Sequence, residues 1–269
     1  MKAKKALGQN FLVNPGIAPK ILYEGGIDEE FGVLEIGPGR GALTSVLLKT
    51  VRKVVAVELD SDLIPTLESR FGEDRRFSLI SGDVLTLDLR SVIDDVFLGM
   101  RCAVVGNLPY YITSPILMKL LEERLPVERI VVMVQKEAAT RLAAPEGSRE
   151  SGAVTLAVRY YSNPEILFDV APGSFSPAPK VWSSAMLFRI LDCPRVSPKD
   201  ESLMFRVIRG AFSQRRKTAV NAVSASLGLP KDMVGIAFSA LGFDPLVRAE
   251  RLMLHDYVAL SDYLADMDY

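Results

Sequence analysis

Val33-Leu34-Glu35-Ile36-Gly37-Pro38-Gly39-Arg40-Gly41-Ala42 is the stretch on which the fold turns. Residues 33–36 read as a buried strand. The glycines then break it, and 42–49 carry apolar residues at helical spacing. Placed between a strand and a helix, Gly37, Gly39 and Ala42 satisfy the dinucleotide-type fingerprint. Glycines at such a turn let the backbone fold sharply and let a ligand lie against it. The fingerprint predicts an acid about 20 positions on, at the end of the next strand, to accept both hydroxyls of a ribose. Residues 53–58 make that strand, and Glu58 lies 21 positions after Gly37. Loop and acid together point to a nucleoside cofactor. For the loop alone, a glycine turn packed on a sheet is the alternative.

Further along, residues 61–70 read as a helix capped by Asp60 or Ser61, with Pro65 near its first turn. Apolar runs at 77–80, 103–105 and 130–134 read as strands, 135–144 and 152–161 as helices, and 166–170 and 185–190 as a last pair of strands. Strands alternating with helices predict right-handed crossovers and a mostly parallel sheet. The pattern changes at Cys193-Pro194. After a linker to Pro198, only helical periodicity remains, over 203–212, 218–227, 231–241 and 255–264. The expected architecture is α/β: a Rossmann-like sheet with helices on both faces over 1–193, and a small all-helical domain over 194–269.

NAD and S-adenosylmethionine both suit the glycine turn. Two later features favour the second. Ser81-Gly82-Asp83 closes the third strand, where a carboxylate can accept from the amine of the cofactor's adenine. The fourth ends in Asn107-Leu108-Pro109-Tyr110, which a dehydrogenase does not need. This tetrapeptide suits the exocyclic amine of adenine, whose lone pair is delocalised into the ring. The Asn107 side-chain oxygen and the Leu108 carbonyl can accept its hydrogens and draw it toward tetrahedral geometry. Pro109 stiffens the backbone and biases Leu108 to an extended conformation. Tyr110 offers a ring for stacking. A proline turn with a packed tyrosine is the bland reading. Phe175, in Ser174-Phe175-Ser176-Pro177-Ala178-Pro179-Lys180-Val181, is either a second ring that sandwiches an unstacked base or an anchor of that loop to the core.

Composition sets the bounds. No run of eighteen apolar residues exists, so no membrane span is expected. Cys102 and Cys193 are isolated and His255 has no cysteine or histidine nearby. No metal site is expected, and a reducing cytoplasm is the fitting compartment. The net charge of -1 argues against a nucleic-acid binder, but its distribution does not. Residues 1–23 hold Lys2, Lys4, Lys5 and Lys20 without an acid. Residues 202–231 hold Arg206, Arg209, Arg215, Arg216, Lys217 and Lys231, again without one. Such patches are either RNA-facing or solvated helix faces.

Together these residues resemble the small-subunit (16S) rRNA adenine N6,N6-dimethyltransferases. The likeness runs from Leu7-Gly8-Gln9-Asn10-Phe11-Leu12 through the glycine turn and the tetrapeptide to Gln135-Lys136-Glu137, Phe175–Val181 and Phe212-Ser213-Gln214-Arg215-Arg216-Lys217-Thr218. Tyr111 and Glu150-Ser151-Gly152 are local variants that touch no chemical role. The resemblance implies that Asn10 and Leu12 cover S-adenosyl-L-methionine, Gly37 lies under its amino-acid end, Glu58 takes the ribose, Asp83 takes the adenine, and Asn107 touches cofactor and target. It implies dimethylation of two adjacent adenines near the 3′ end of 16S rRNA, within the small subunit or its precursor, by an enzyme expected to be a monomer. Three readings compete. The run 214–218 argues against a large-subunit rRNA methyltransferase of the macrolide-resistance type. The intact tetrapeptide and Glu58 argue against a non-catalytic RNA-binding assembly factor. Asp83 and the tetrapeptide argue against an NAD oxidoreductase.

Overall fold

The computed structural model describes residues 3–4, 7–214 and 216–267. In chain order its elements are β1 (Phe11–Leu12), α1 (Ile17–Gly25), β2 (Phe31–Ile36), α2 (Ala42–Thr50), β3 (Lys53–Glu58), α3 (Ile64–Phe71), β4 (Phe77–Ser81), α4 (Leu89–Val96), β5 (Arg101–Asn107) and α5 (Thr113–Glu122). There follow β6 (Arg129–Gln135), α6 (Lys136–Leu142), α7 (Ala153–Tyr161), β7 (Ser162–Val170), β8 (Phe175–Ser176), β9 (Ser183–Ile190), α8 (Glu201–Phe212), α9 (Ala219–Leu227), α10 (Lys231–Ala240) and α11 (Leu254–Asp266).

Seven strands form one sheet in the order β4-β3-β2-β5-β6-β9-β7. Strands β2 to β6 run parallel and β9 is antiparallel to β6. Every residue of β2 is buried, as a strand covered on both faces must be. The chain builds from β2 outward through β3 to β4, then crosses to the other side of β2 for β5 and β6. That reversal opens a crevice at the carboxyl ends of β2 and β5, where open sheets bind ligands. Val33, Val105, Met133 and Leu187 of the sheet share a core cluster with Ile21, Leu43 and Leu47 of α1 and α2.

One cap differs from expectation. Helix α3 begins at Ile64, and neither Asp60 nor Ser61 caps it. The Asp60 carboxylate instead accepts from the Asp62 N–H (3.1 Å), while its carbonyl accepts from the Leu63 N–H (2.9 Å). These bonds close a turn before the helix starts.

The described chain falls into two compact units. The first holds residues up to Ala139 and Asn163–Ile190; the second holds Thr140–Ser162 and the chain from Leu191 on. This differs from the single cut expected after Cys193. In the second unit the rings of Tyr160 and Tyr161 on α7 lie 5.2 and 5.9 Å from Phe205 of α8. Both hydroxyls donate to the Glu201 carboxylate, at 2.9 and 2.8 Å. Residues 140–162 therefore pack with the C-terminal helices although they lie between sheet strands in sequence.

Candidate active site

The glycine turn holds Gly37, Gly39 and Gly41 at φ of 67°, 58° and 78°, a region that side chains with a Cβ rarely enter. The Gly37 N–H donates to the Val57 carbonyl (2.9 Å), tying the turn to β3. A Cβ on Gly37 would meet nothing within 4 Å, so the space above this backbone is open to a ligand. Glu58, at the end of β3, is 6% exposed. Its carboxylate accepts from the Gly39 N–H (3.0 Å) and the Asp60 N–H (2.8 Å). Burial holds this carboxyl above its ordinary range, against the lowering effect of the backbone N–H groups of Asp60, Gly39 and Leu59. Each oxygen keeps a lone pair for a hydroxyl. Asp83, just past β4, is half-buried, and its Oδ1 accepts from the Leu85 N–H (2.9 Å). These groups border one cleft of about 1000 Å³, solvent at its mouth included.

The tetrapeptide forms the other wall. Strand β5 ends at Asn107, whose Nδ2 donates to the Asn10 carbonyl (2.9 Å). The Leu108 N–H donates to the Met133 carbonyl (3.2 Å), and no described donor bonds the Leu108 carbonyl. The Tyr110 ring is half-buried and its hydroxyl is bonded to Ser183 Oγ (2.6 Å). Asn10, Leu12, Gly37, Gly39, Glu58, Asp83, Asn107, Leu108 and Tyr110 all line the cleft. Nine of the residues singled out in the sequence are thus brought together.

Phe175 is not among them, which departs from its expected place as a base-sandwiching ring. Its residue pairs with Leu12 across the short β1–β8 ladder, and its side chain is 3% exposed within the sheet's core cluster. This placement fits the anchoring reading. Ser176, Pro177 and Ala178 beyond it are exposed, as two prolines suggested.

The basic stretches divide as well. Lys4 is ion-paired with Asp60 and Asp62, at 2.6 Å each, and the Lys20 ammonium sits 4.2 Å from the Phe168 ring centroid. Arg206, Arg209, Arg216 and Lys217 are exposed in the second unit, while Arg215 lies outside the described residues.

Two features of the site were not read from the sequence. Gln9 Nε2 donates to Asp60 Oδ2 (2.7 Å) and Gln9 Oε1 accepts from the Lys4 N–H (2.8 Å), fastening the N-terminal segment beside Glu58. Glu35 is fully buried; one oxygen accepts from Thr44 Oγ1 (2.7 Å) and the other has no partner among the described residues. Burial pushes its carboxyl up to about 8, the Thr44 bond opposing and the charge of Glu58 adding to the rise.

Known proteins agree with this picture. The family model for ribosomal RNA adenine dimethylase matches residues 1–266. A ribosomal RNA small subunit methyltransferase A from Alkaliphilus oremlandii is 42% identical over 98% of this chain and 92% of its own. A crystallised dimethyladenosine transferase from Plasmodium falciparum superposes with a TM-score of 0.76 at 26% identity, covering 96% of this chain and 97% of its own. The 23S rRNA methyltransferase ErmE shares the fold, with a TM-score of 0.69 at 22% identity over 95% of this chain and all of its own. The chain belongs to the ribosomal RNA adenine dimethylase family.

Proposed function

We propose that this chain dimethylates N6 of two adjacent adenines near the 3′ end of 16S rRNA, drawing methyl groups from S-adenosylmethionine during small-subunit biogenesis. The open backbone over Gly37 and the two carboxylates of Glu58 and Asp83 along one cleft fit such a donor. Glu58 would hold the ribose, Asp83 the adenine amine, and Gly37 the amino-acid end. Bound there, S-adenosylmethionine supplies a methyl group on a cationic sulfur.

The observation that carries the reading is the orientation of Asn107. The Asn10 carbonyl can only accept, so the Asn107 amide must turn its NH2 toward Asn10 and its Oδ1 away. Oδ1 and the Leu108 carbonyl, which no described donor bonds, are then two acceptors for the hydrogens of an adenine amine. Accepting them draws electron density onto N6 and directs its lone pair out of the ring system. Tyr110 gives the base a ring whose position Ser183 fixes. As the new N6–C bond forms, the proton on N6 becomes acidic and passes to water, so no side-chain base is required. Monomethyladenine has one N6 hydrogen left; the second transfer uses one acceptor, with the first methyl turned away from it.

The test is incubation of the protein with S-adenosylmethionine and unmethylated small-subunit rRNA or subunits, followed by nucleoside mass spectrometry. Two N6,N6-dimethyladenosines per rRNA are expected. N6-monomethyladenosine alone refutes dimethylation, and unmodified adenine in both substrates refutes the activity.

A further inference from the structure

Trp182 is the only tryptophan of the chain, and the residue is 51% exposed. Leaving an indole in water forgoes one of the largest apolar burials a side chain can make. The residue is not loosely tethered. Its carbonyl accepts from the Lys136 N–H (2.9 Å) at the end of β6. Ser183, the next residue, opens β9 and holds the Tyr110 hydroxyl. The Lys136 ammonium, ion-paired with Asp169 (2.5 Å), lies 5.9 Å from the indole centroid, and Lys180, two residues back, is exposed.

Its place on the sheet matters as much as its exposure. Asn107 at the end of β5 is opposite Met133 of β6, and Gln135 of β6 is opposite Ser183 of β9. Trp182 therefore stands on the same carboxyl-end rim as the tetrapeptide, two strand spacings away. Strand spacing and rise put that at on the order of 10–15 Å, a span of a few nucleotides. A fixed backbone, an open aromatic face and an adjacent ammonium are the means by which proteins hold unstacked bases on a single strand.

We propose that Trp182 is a stacking platform for a base of the RNA strand that flanks the target adenine. The assignment rests on the RNA-methylating reading above, and the experiment separates the two. Because Trp182 is the sole indole, its emission reports on this position alone. Protein-free, unmethylated small-subunit rRNA should quench that emission and shield it from iodide, while filter retention of the same RNA measures binding independently. Trp182→Ala should weaken retention about 5- to 150-fold, the equivalent of one lost base stack. Trp182→Phe should restore most of that loss. Both variants should bind S-adenosylmethionine as the wild type does, which reports that they fold. Retention of the RNA with unchanged Trp182 emission, or equal retention by Trp182→Ala, overturns the platform and leaves an indole that serves another surface. Failure of the wild type to retain either the RNA or unmethylated small subunits overturns the RNA-methylating reading itself, and the platform with it; where only subunits are retained, equal retention of subunits by Trp182→Ala overturns the platform.

Discussion

The side-chain nitrogen of Asn107 donates to the backbone carbonyl of Asn10 at 2.9 Å, across the mouth of the cleft from β5 to the N-terminal segment. This bond fixes which end of the Asn107 amide is turned away from Asn10, and in the proposed mechanism that end, Oδ1, faces the reacting base. Asn107→Asp keeps the size but puts a second acceptor against the Asn10 carbonyl. Asn107→Ala removes both ends. Both substitutions should lower the single-turnover rate at saturating methyl donor by on the order of 100-fold, the usual consequence of deleting a group aimed at the transition state. RNA affinity should change little. A rate within threefold of wild type for Asn107→Ala, with the donor saturating, refutes the role given to this side chain.

Glu58 is predicted to govern donor affinity. Glu58→Ala should weaken S-adenosylmethionine binding by roughly 1.5–3 kcal/mol, the value of hydrogen bonds to a charged acceptor. Some stability should go with it, because the same carboxylate holds the Gly39 and Asp60 N–H groups of the turn. Calorimetric titration of the donor decides: unchanged affinity removes Glu58 from the ribose.

The strands around Glu58 were legible because residues buried on both faces leave a continuous apolar signature; the reading 53–58 coincides with β3. Helices α1, α4 and α5 were not read. Pro19 and Pro115 look like breakers, yet each occupies the first turn of its helix, where the missing N–H has no intrahelical partner to lose. The nine residues that carry motifs and line the cleft were legible for that reason. The Lys4–Gln9–Asp60 network joins residues over fifty positions apart with no local pattern, so nothing in the sequence announces it. Phe175 was ambiguous for a related reason: the prolines after it describe the loop, while its ring is placed by a two-residue ladder to Leu12.

Glu35 predicts how stability varies with pH. Its carboxyl is raised in the folded state, to about 8, from an ordinary value near 4.5. Between these values the folded chain holds a proton that the unfolded chain has released. Stability should therefore fall as pH rises through that window, by up to about 1.4 kcal/mol per pH unit, and level off above about 8. Glu35→Gln, which can still accept from Thr44, should flatten the dependence. Denaturant midpoints at pH 5 to 8.5 test it; equal slopes for variant and wild type contradict a buried, protonated Glu35.

For Phe175, packing and stacking roles separate by substitution. Phe175→Ala should destabilise the protein by about 3–5 kcal/mol, the range for removing a buried phenylalanine. Phe175→Leu fills most of the volume and should cost less. If the residue is an anchor, Phe175→Leu should also turn over at close to the wild-type rate wherever it is folded. A well-folded Phe175→Leu with turnover reduced tenfold or more restores the ring to the target site.

The second unit is expected to carry charge to the RNA. Arg206 and Arg209 lie three residues apart on α8, both exposed, while Met204, Val207 and Ile208 of the same helix are buried. Arg216 and Lys217 are exposed immediately before α9, whose first turn is capped by Thr218 accepting from the Asn221 N–H. The N-terminus of that helix adds a partial positive charge of its own. Cations that neutralise phosphates release counterions, so each lost contact lowers the slope of log affinity against log salt by about 0.7 for single strands and 0.9 for duplex. Arg209→Glu combined with Arg216→Glu should weaken rRNA binding at low salt and flatten that slope by more than one. S-adenosylmethionine affinity should be untouched, since neither residue lines the cleft. Stability should hardly change, because both side chains are exposed. Filter binding across a salt series is the measurement. A double variant with the wild-type slope means that these arginines face solvent and that the RNA is held elsewhere.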